Sequence, residues 1–171
     1  MTNAKRPARR KRVHRLDTQL ARKLSRNDDA ILTFVYLTFS SNTVMKSADE
    51  HLRKHKLSVA RYTILRVLED GASQPLNYLS EKHFCEAGNI TKLVSRMSED
   101  GLVERRTDES DRRVTLVTIT EKGKALCQAV SGEHREFIKS MMSEFTLQEL
   151  KTLSGLLERL SHKASLYKSM D

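Results

Sequence analysis

The hydrophobic period of this chain changes at one place, and that place limits the folds open to it. Up to Gly101 the apolar residues recur at helical spacing. From Leu102 to Thr120 they alternate with polar ones, and after Thr120 the helical spacing returns. "LVERR" and "VTLVTIT" flank the polar segment "TDESDR", which predicts a two-stranded hairpin with Thr115, Val117 and Ile119 on one face. Three short helices are predicted ahead of it. "LSVARYTILRVLEDG" has Ile64, Leu65, Val67 and Leu68 on its core side, Ser58 as N-cap and Gly71 past its end. "PLNYLSEKHF" is entered at Pro75. "AGNITKLVSRMSEDG" carries the stripe Ile90, Leu93, Val94, Met97, spaced i, i+3, i+4, i+7, and stops at Gly101.

Longer helices flank this block. "DDAILTFVYLTFSSNTVMKSADEHLRKH" begins with two acids, and Ile31, Leu32, Phe34, Val35, Leu37 and Phe39 cover more than one of its faces. A helix apolar over most of its girth must be covered on several sides, which in a chain of 171 residues points to a subunit interface. After the hairpin, Thr120 caps "EKGKALCQAVSGEHREFIKSMMSEF". Thr146 and Glu149 then form a capping box for "LQELKTLSGLLERLSHKASLYK", whose apolar line is Leu147, Leu150, Leu153, Leu157 and Leu160, with Leu156 beside it. A shorter amphipathic helix is expected over "VHRLDTQLARKLSR", with Val13, Leu16, Leu20 and Leu24 as its apolar line.

Three short helices followed by a hairpin is the element order of a winged helix-turn-helix. The expected fold is therefore mainly α with a small β-ribbon: a winged helix-turn-helix lobe at about 57–119, and a helical dimerisation region at about 28–54 and 121–168. Charge sets residues 1–26 apart from the domain at 27–171. The net charge is +9. Residues 1–26 hold ten Lys or Arg against the single acid Asp17, while the remainder balances 21 basic with 21 acidic residues. Residues 1–12 are too charged to pack. A basic arm favours polyanions, nucleic acid being the commonest, although a solubilising tail has the same composition.

The helix at 87–100 is where nucleic-acid chemistry concentrates. Its polar face holds Gly88, Asn89, Thr91, Lys92, Ser95 and Arg96, and no acid occurs from Ala87 to Ser98. Asn pairs with adenine edges, Arg and Lys with guanine, and the Thr methyl meets thymine. Gly88 near the helix start lets backbone N–H groups approach a phosphate. On the hairpin, Arg112 and Arg113 head the second strand at a tip suited to a minor groove, where negative potential attracts Arg. Asp111 is expected to hold one guanidinium in a bidentate pair, and Arg105 and Arg106 on the first strand to contact phosphates. A solvated helix face and a salt-bridged turn are the bland alternatives; the agreement of helix and hairpin argues against them.

These residues resemble the MarR family of bacterial transcription regulators over about residues 30–165. The strongest motifs are "NITKLVSRMSEDGLVERR" and the D-x-x-D-R-R hairpin followed by L-V-x-x-T-x-K-G, formed here by Asp108, Asp111, Arg112, Arg113, Leu116, Val117, Thr120, Lys122 and Gly123. The chain departs from the family pattern at His83, Phe84 and Glu86, in the turn before the recognition helix. The resemblance implies a homodimer in which the first helix and the last two interlock. It implies double-stranded DNA as partner, with two recognition helices about one DNA turn apart, roughly 34 Å, on a pseudo-palindrome. Many members repress transcription and release DNA when a small phenolic compound, metal or oxidant binds in a cleft between the dimer helices and the DNA-binding lobe. Phe39, Met45, Tyr62 and Arg66 are the corresponding effector candidates here. The expected protein is thus a cytoplasmic, nucleoid-associated regulator; the alternative is a non-specific or architectural nucleic-acid binder driven by the basic arm.

Other classes find less support. No G-x-G-x-x-G, P-loop, H-E-x-x-H or G-x-S-x-G motif is present, so neither an enzyme nor a cofactor is expected. No apolar run approaches the roughly 20 residues that span a bilayer, so no membrane association is expected. Cys85 and Cys127 lack metal-ligand spacing and read as packed thiols in a reducing compartment. Oxidant-sensing relatives carry a reactive Cys in the first helix, and this chain has none there. His51 and His55 are four apart at a charged helix end, where solvent exposure is expected rather than metal binding, and His134 beside Glu133 suggests no ligand set either.

Overall fold

A computed structural model of the chain describes residues 18–26, 28–82 and 87–168. Residues 1–17 of the basic arm, with Val13 and Leu16 of its predicted helix, lie outside them. So do His83, Phe84, Cys85 and Glu86. The chain divides into two compact units, residues 1–63 and 64–171.

In the first unit, α1 (Thr18–Ser25) packs on α2 (Asp29–Leu52). Asp28 caps α2, its carboxylate accepting from the N–H groups of Ala30 at 2.8 Å and Ile31 at 3.1 Å. The expected apolar line of α1 is reversed. Ala21 and Ser25 are buried, whereas Leu20 and Leu24 are exposed. Small side chains let the two helix backbones approach closely, and the leucines are turned outward. Much of α2 is likewise uncovered: Phe34 is 63% exposed and Ile31 47%. A short 3₁₀ turn (Arg53–His55) ends in the left-handed Lys56, after which α3 (Val59–Val67) starts under two caps. The Ser58 hydroxyl accepts from Arg61 N–H at 3.2 Å, and the Asp49 carboxylate accepts from Val59 N–H at 2.7 Å.

The second unit contains β1 (Gln74–Pro75), α4 (Leu76–Lys82), α5 (Ala87–Glu99), β2 (Val103–Thr107), β3 (Thr115–Ile119), α6 (Glu121–Met141) and α7 (Leu147–Lys168). The sheet has three antiparallel strands in the order β1-β3-β2, not the expected two. Gln74 and Pro75 pair with Val117 and Leu116. A Pro cannot donate to a ladder, and as the edge strand β1 needs no outward donor there. Val117 and Ile119 are buried, as the alternation predicts. The core joins them to Ile64, Leu65, Leu68 and Leu79 and to the α5 stripe of Ile90, Val94 and Met97. Each such side chain is worth about 1.5–3 kcal/mol of burial. Among the described residues no helix is long and apolar enough to cross a membrane.

Candidate nucleic-acid interface

The helix α5 is seated at its C-terminus by a set of contacts that explains the T-x-K-G motif. Gly101 adopts φ +70°, and its N–H donates to Ser98 O at 2.9 Å while Leu102 N–H donates to Met97 O at 2.9 Å. This is a Schellman end, in which a left-handed residue satisfies the last carbonyls. Two further groups arrive from the start of α6. Lys122 Nζ donates to Asp100 O at 2.6 Å, placing a cation where the helix dipole is negative. Thr120 Oγ1 donates to Gly101 O at 2.7 Å while accepting from Gly123 N–H at 3.0 Å. Gly123 is obligatory for close approach: a Cβ there would lie 2.2 Å from Leu102 O. Helix end, strand start and the next helix therefore meet at one point.

Above this seat, α5 divides by face. Ile90, Val94 and Met97 are buried, Ser95 is half-buried, and Asn89, Thr91, Lys92 and Arg96 are exposed. Gly88 occupies the second position of the helix.

The hairpin tip is built by its two aspartates. Asp108 accepts from the N–H groups of Ser110 at 2.8 Å and Asp111 at 3.0 Å, and from the Ser110 hydroxyl. The Ser110 hydroxyl, then those N–H groups, hold its carboxyl below the usual carboxylate range. Asp108 N–H donates to Val114 O at 2.9 Å and closes the turn. Asp111 does not pair with a guanidinium as expected. Its carboxylate accepts from Arg113 N–H at 2.9 Å. An Asx turn of this kind fixes the backbone locally and leaves both arginine heads outward. Arg112 and Arg113 lie within the turn and are exposed, two to three residues before β3 begins at Thr115.

Arg105 and Arg106 make contacts that the sequence did not suggest. Arg105 donates to Ser95 Oγ at 2.8 Å. Arg106 donates to Ser73 Oγ at 3.1 Å, and that hydroxyl bonds Thr118 Oγ1 at 2.7 Å, linking β2, β3 and the residue before β1. Helix and hairpin border a common cleft of about 320 Å³, lined by Ile90 and Thr91 of α5, Arg113 and Thr115 of the hairpin, and Leu76 and Asn77 of α4. Thr91 and Arg113, both singled out in the sequence, thus meet at one surface. Asn77 was missed because nothing in "PLNYLSEKHF" marks which side of so short a helix faces the hairpin.

The effector candidates are separate elements of the chain. Phe39 and Met45 lie on α2, half-buried and exposed respectively; Tyr62, half-buried, and Arg66, exposed, lie one turn apart on α3. Arg66 forms an ion pair with Glu69. Cys127 is fully buried, and burial pushes its thiol up, with Glu69 adding to the shift and Arg66 opposing it. A thiol so placed is disfavoured as thiolate and packs as a small hydrophobe. His51 and His55 are half-buried rather than exposed. Burial, then Lys54 and His55, hold the His51 imidazole below its ordinary value. His134 is buried and stacks on Phe137 at 5.9 Å between ring centroids. No group of three or more His, Cys, Asp or Glu able to hold a metal occurs among the described residues.

A three-helix unit with a seated recognition helix and a β-wing at its flank defines a winged-helix DNA-binding protein of the MarR type. Comparison with known proteins agrees. The model of the family "Transcriptional regulator SarA/Rot" matches residues 44–130. The regulator MhqR of Bacillus subtilis is 26% identical over 140 residues, covering 82% of this chain and 97% of its own. The repressor IacR of Pseudomonas putida is 29% identical over 129 residues, covering 75% and 77%. The crystal structure of the regulator BldR from Sulfolobus solfataricus superposes with a TM-score of 0.69 at 27% identity, covering 79% of this chain and 96% of that one. The chain belongs to the SarA/Rot family of transcriptional regulators; it is a DNA-binding regulator and not an enzyme.

Proposed function

We propose that the protein is a homodimeric, sequence-specific repressor that reads a pseudo-palindromic operator. In each protomer, Gly88, Asn89, Thr91, Lys92, Ser95 and Arg96 of α5 face the major groove. Arg112 and Arg113 enter the adjacent minor groove, with the tip ordered by Asp108 and Asp111. The observation that carries this reading is the shared cleft bordered by Thr91 and Arg113, on a helix without an acid from 87 to 98. A base-reading helix and an arginine tip so joined contact one stretch of duplex together.

Dimerisation through α2, α6 and α7 is supported by the apolar surface these helices leave open. Leu147 is 69% exposed and Leu160 46%, and no described side chain of α7 is buried. A patch of that kind on a chain of this size marks an interface. The name of IacR supports repression over activation. Release by a small effector near Phe39, Met45, Tyr62 and Arg66 would act by population shift, the effector favouring the lobe spacing that does not fit DNA. The arm at 1–26 adds phosphate contacts, and the protein works at the nucleoid in the cytoplasm.

Selection of bound fragments from random duplex DNA at near-physiological salt tests the reading. An enriched inverted repeat with half-sites about one turn apart, roughly 34 Å, is expected. Binding without enrichment that collapses as salt rises would favour an arm-driven, non-specific binder instead.

A further inference from the structure

We infer that Arg105 is a positioning residue for base reading, acting through Ser95 of α5, and is not a phosphate contact. The inference rests on the reading of α5 as the recognition helix.

Strand alternation decides where Arg105 stands. It pairs with Val117, and Val103 pairs with Ile119. Directly opposed residues share a sheet face, so Arg105 continues the row formed by the buried Val103, Val117 and Ile119. Glu104 and Arg106 fall on the other face. Arg105 therefore extends from the core side of the sheet, and its guanidinium meets Ser95 Oγ at 2.8 Å.

The chemistry of that contact is one-directional. A guanidinium has donors only, so the Ser95 hydroxyl is the acceptor. One of its lone pairs is occupied and its oxygen is polarised by a full charge, while its own proton remains available. A hydroxyl in that state is biased towards donating. On a major groove edge it selects acceptors such as guanine N7 and O6, adenine N7 or thymine O4, over the amino groups of adenine and cytosine. Ser95 lies one turn beyond Thr91 and Lys92 on the same helix. Arg105 thus fixes both the place and the hydrogen-bond polarity of one reading group. With Arg106 held by Ser73, the exposed cations left for phosphate and groove contact on α5 and the tip are Lys92, Arg96, Arg112 and Arg113.

The test uses the full chain and the duplex recovered by selection, with wild type, Arg105→Ala, Arg105→Lys, Ser95→Ala and the double variant Arg105→Ala/Ser95→Ala. Preference for the selected duplex over random duplex is measured across a salt series, with thermal unfolding as a check on folding. Arg105→Ala and Arg105→Lys should each lower the preference about five- to tenfold, the scale of one ordinary net hydrogen bond. The salt slope should stay at the wild-type value, and the double variant should be no worse than the worse single. If Arg105→Ala unfolds the lobe, Arg105→Lys must still lower the preference, with the loss confined to the base position that Ser95→Ala also affects. The inference is overturned if Arg105→Ala lowers the salt slope by about 0.9 while preference is kept, if Arg105→Lys behaves as wild type, or if the two single effects add. A wild-type protein without any sequence preference would instead remove the recognition-helix reading, and this inference with it.

Discussion

The helices α5 and α7 are both amphipathic, yet one is completed by its own chain and the other is not. The apolar stripe of α5 is fully buried at Ile90, Val94 and Met97, and its end is secured by Gly101, Thr120, Lys122 and Gly123. The leucines of α7 remain largely exposed, although its start is well made: Thr146 N–H donates to Glu149 at 2.8 Å and Glu149 N–H to Thr146 Oγ1 at 3.3 Å. Local chemistry suffices to start and stop a helix, but only packing shows what its apolar side is for. On the proposed function, α5 is a reading surface that must be rigid before DNA arrives, and α7 an association surface that waits for its partner.

Four changes would break or sharpen this contrast. The largest effect is expected for Gly123→Val. The new side chain meets Leu102 O, which is backbone and cannot rotate away, so a loss of about 3 kcal/mol in stability should appear in denaturant unfolding. Next, Leu157→Glu on α7 should leave α5 and its DNA surface folded but weaken self-association about a hundredfold, read by sedimentation across a dilution series; burying an unpaired charge opposes assembly. An unchanged mass distribution would remove α7 from the interface. Third, Arg113→Ala should weaken operator binding by about 1–3 kcal/mol without altering thermal stability, measured by fluorescence titration. The smallest effect concerns pH. Thr146 N–H, then its hydroxyl, hold the Glu149 carboxyl below its usual range. In acid the unfolded chain then binds the proton more readily than the folded one. This stabilising contribution is therefore present above the usual carboxylate range and is lost as the pH falls through it and below. Glu149→Gln should flatten that part of the acid unfolding profile.

The sequence was most informative where local rules govern. The caps at Ser58, Thr120 and Thr146, the glycine stops at Gly71 and Gly101, and the alternation of Val117 and Ile119 all follow from residue type and spacing. It was least informative where a long side chain had a choice of partners. The sequence offers Asp111 the neighbouring arginine heads or a backbone N–H, and bonding the N–H two residues on orders less side chain than an exposed ion pair does. For Arg105 the charge was legible and the hydroxyl partner, ten residues earlier, was not. The strand at Gln74–Pro75 has no periodicity to detect at two residues. On α1 the leucines looked like the packed side, but close helix contact favoured Ala21 and Ser25.

The central claim is that α7 and α2 are completed by a second copy of the chain, which sets two α5 surfaces against one duplex. The mass of the full chain in solution at low micromolar concentration tests it most directly. The account predicts a species of twice the 19.6 kDa chain mass, persisting on dilution and binding one duplex per pair. A monomer that still selects a DNA sequence would contradict it.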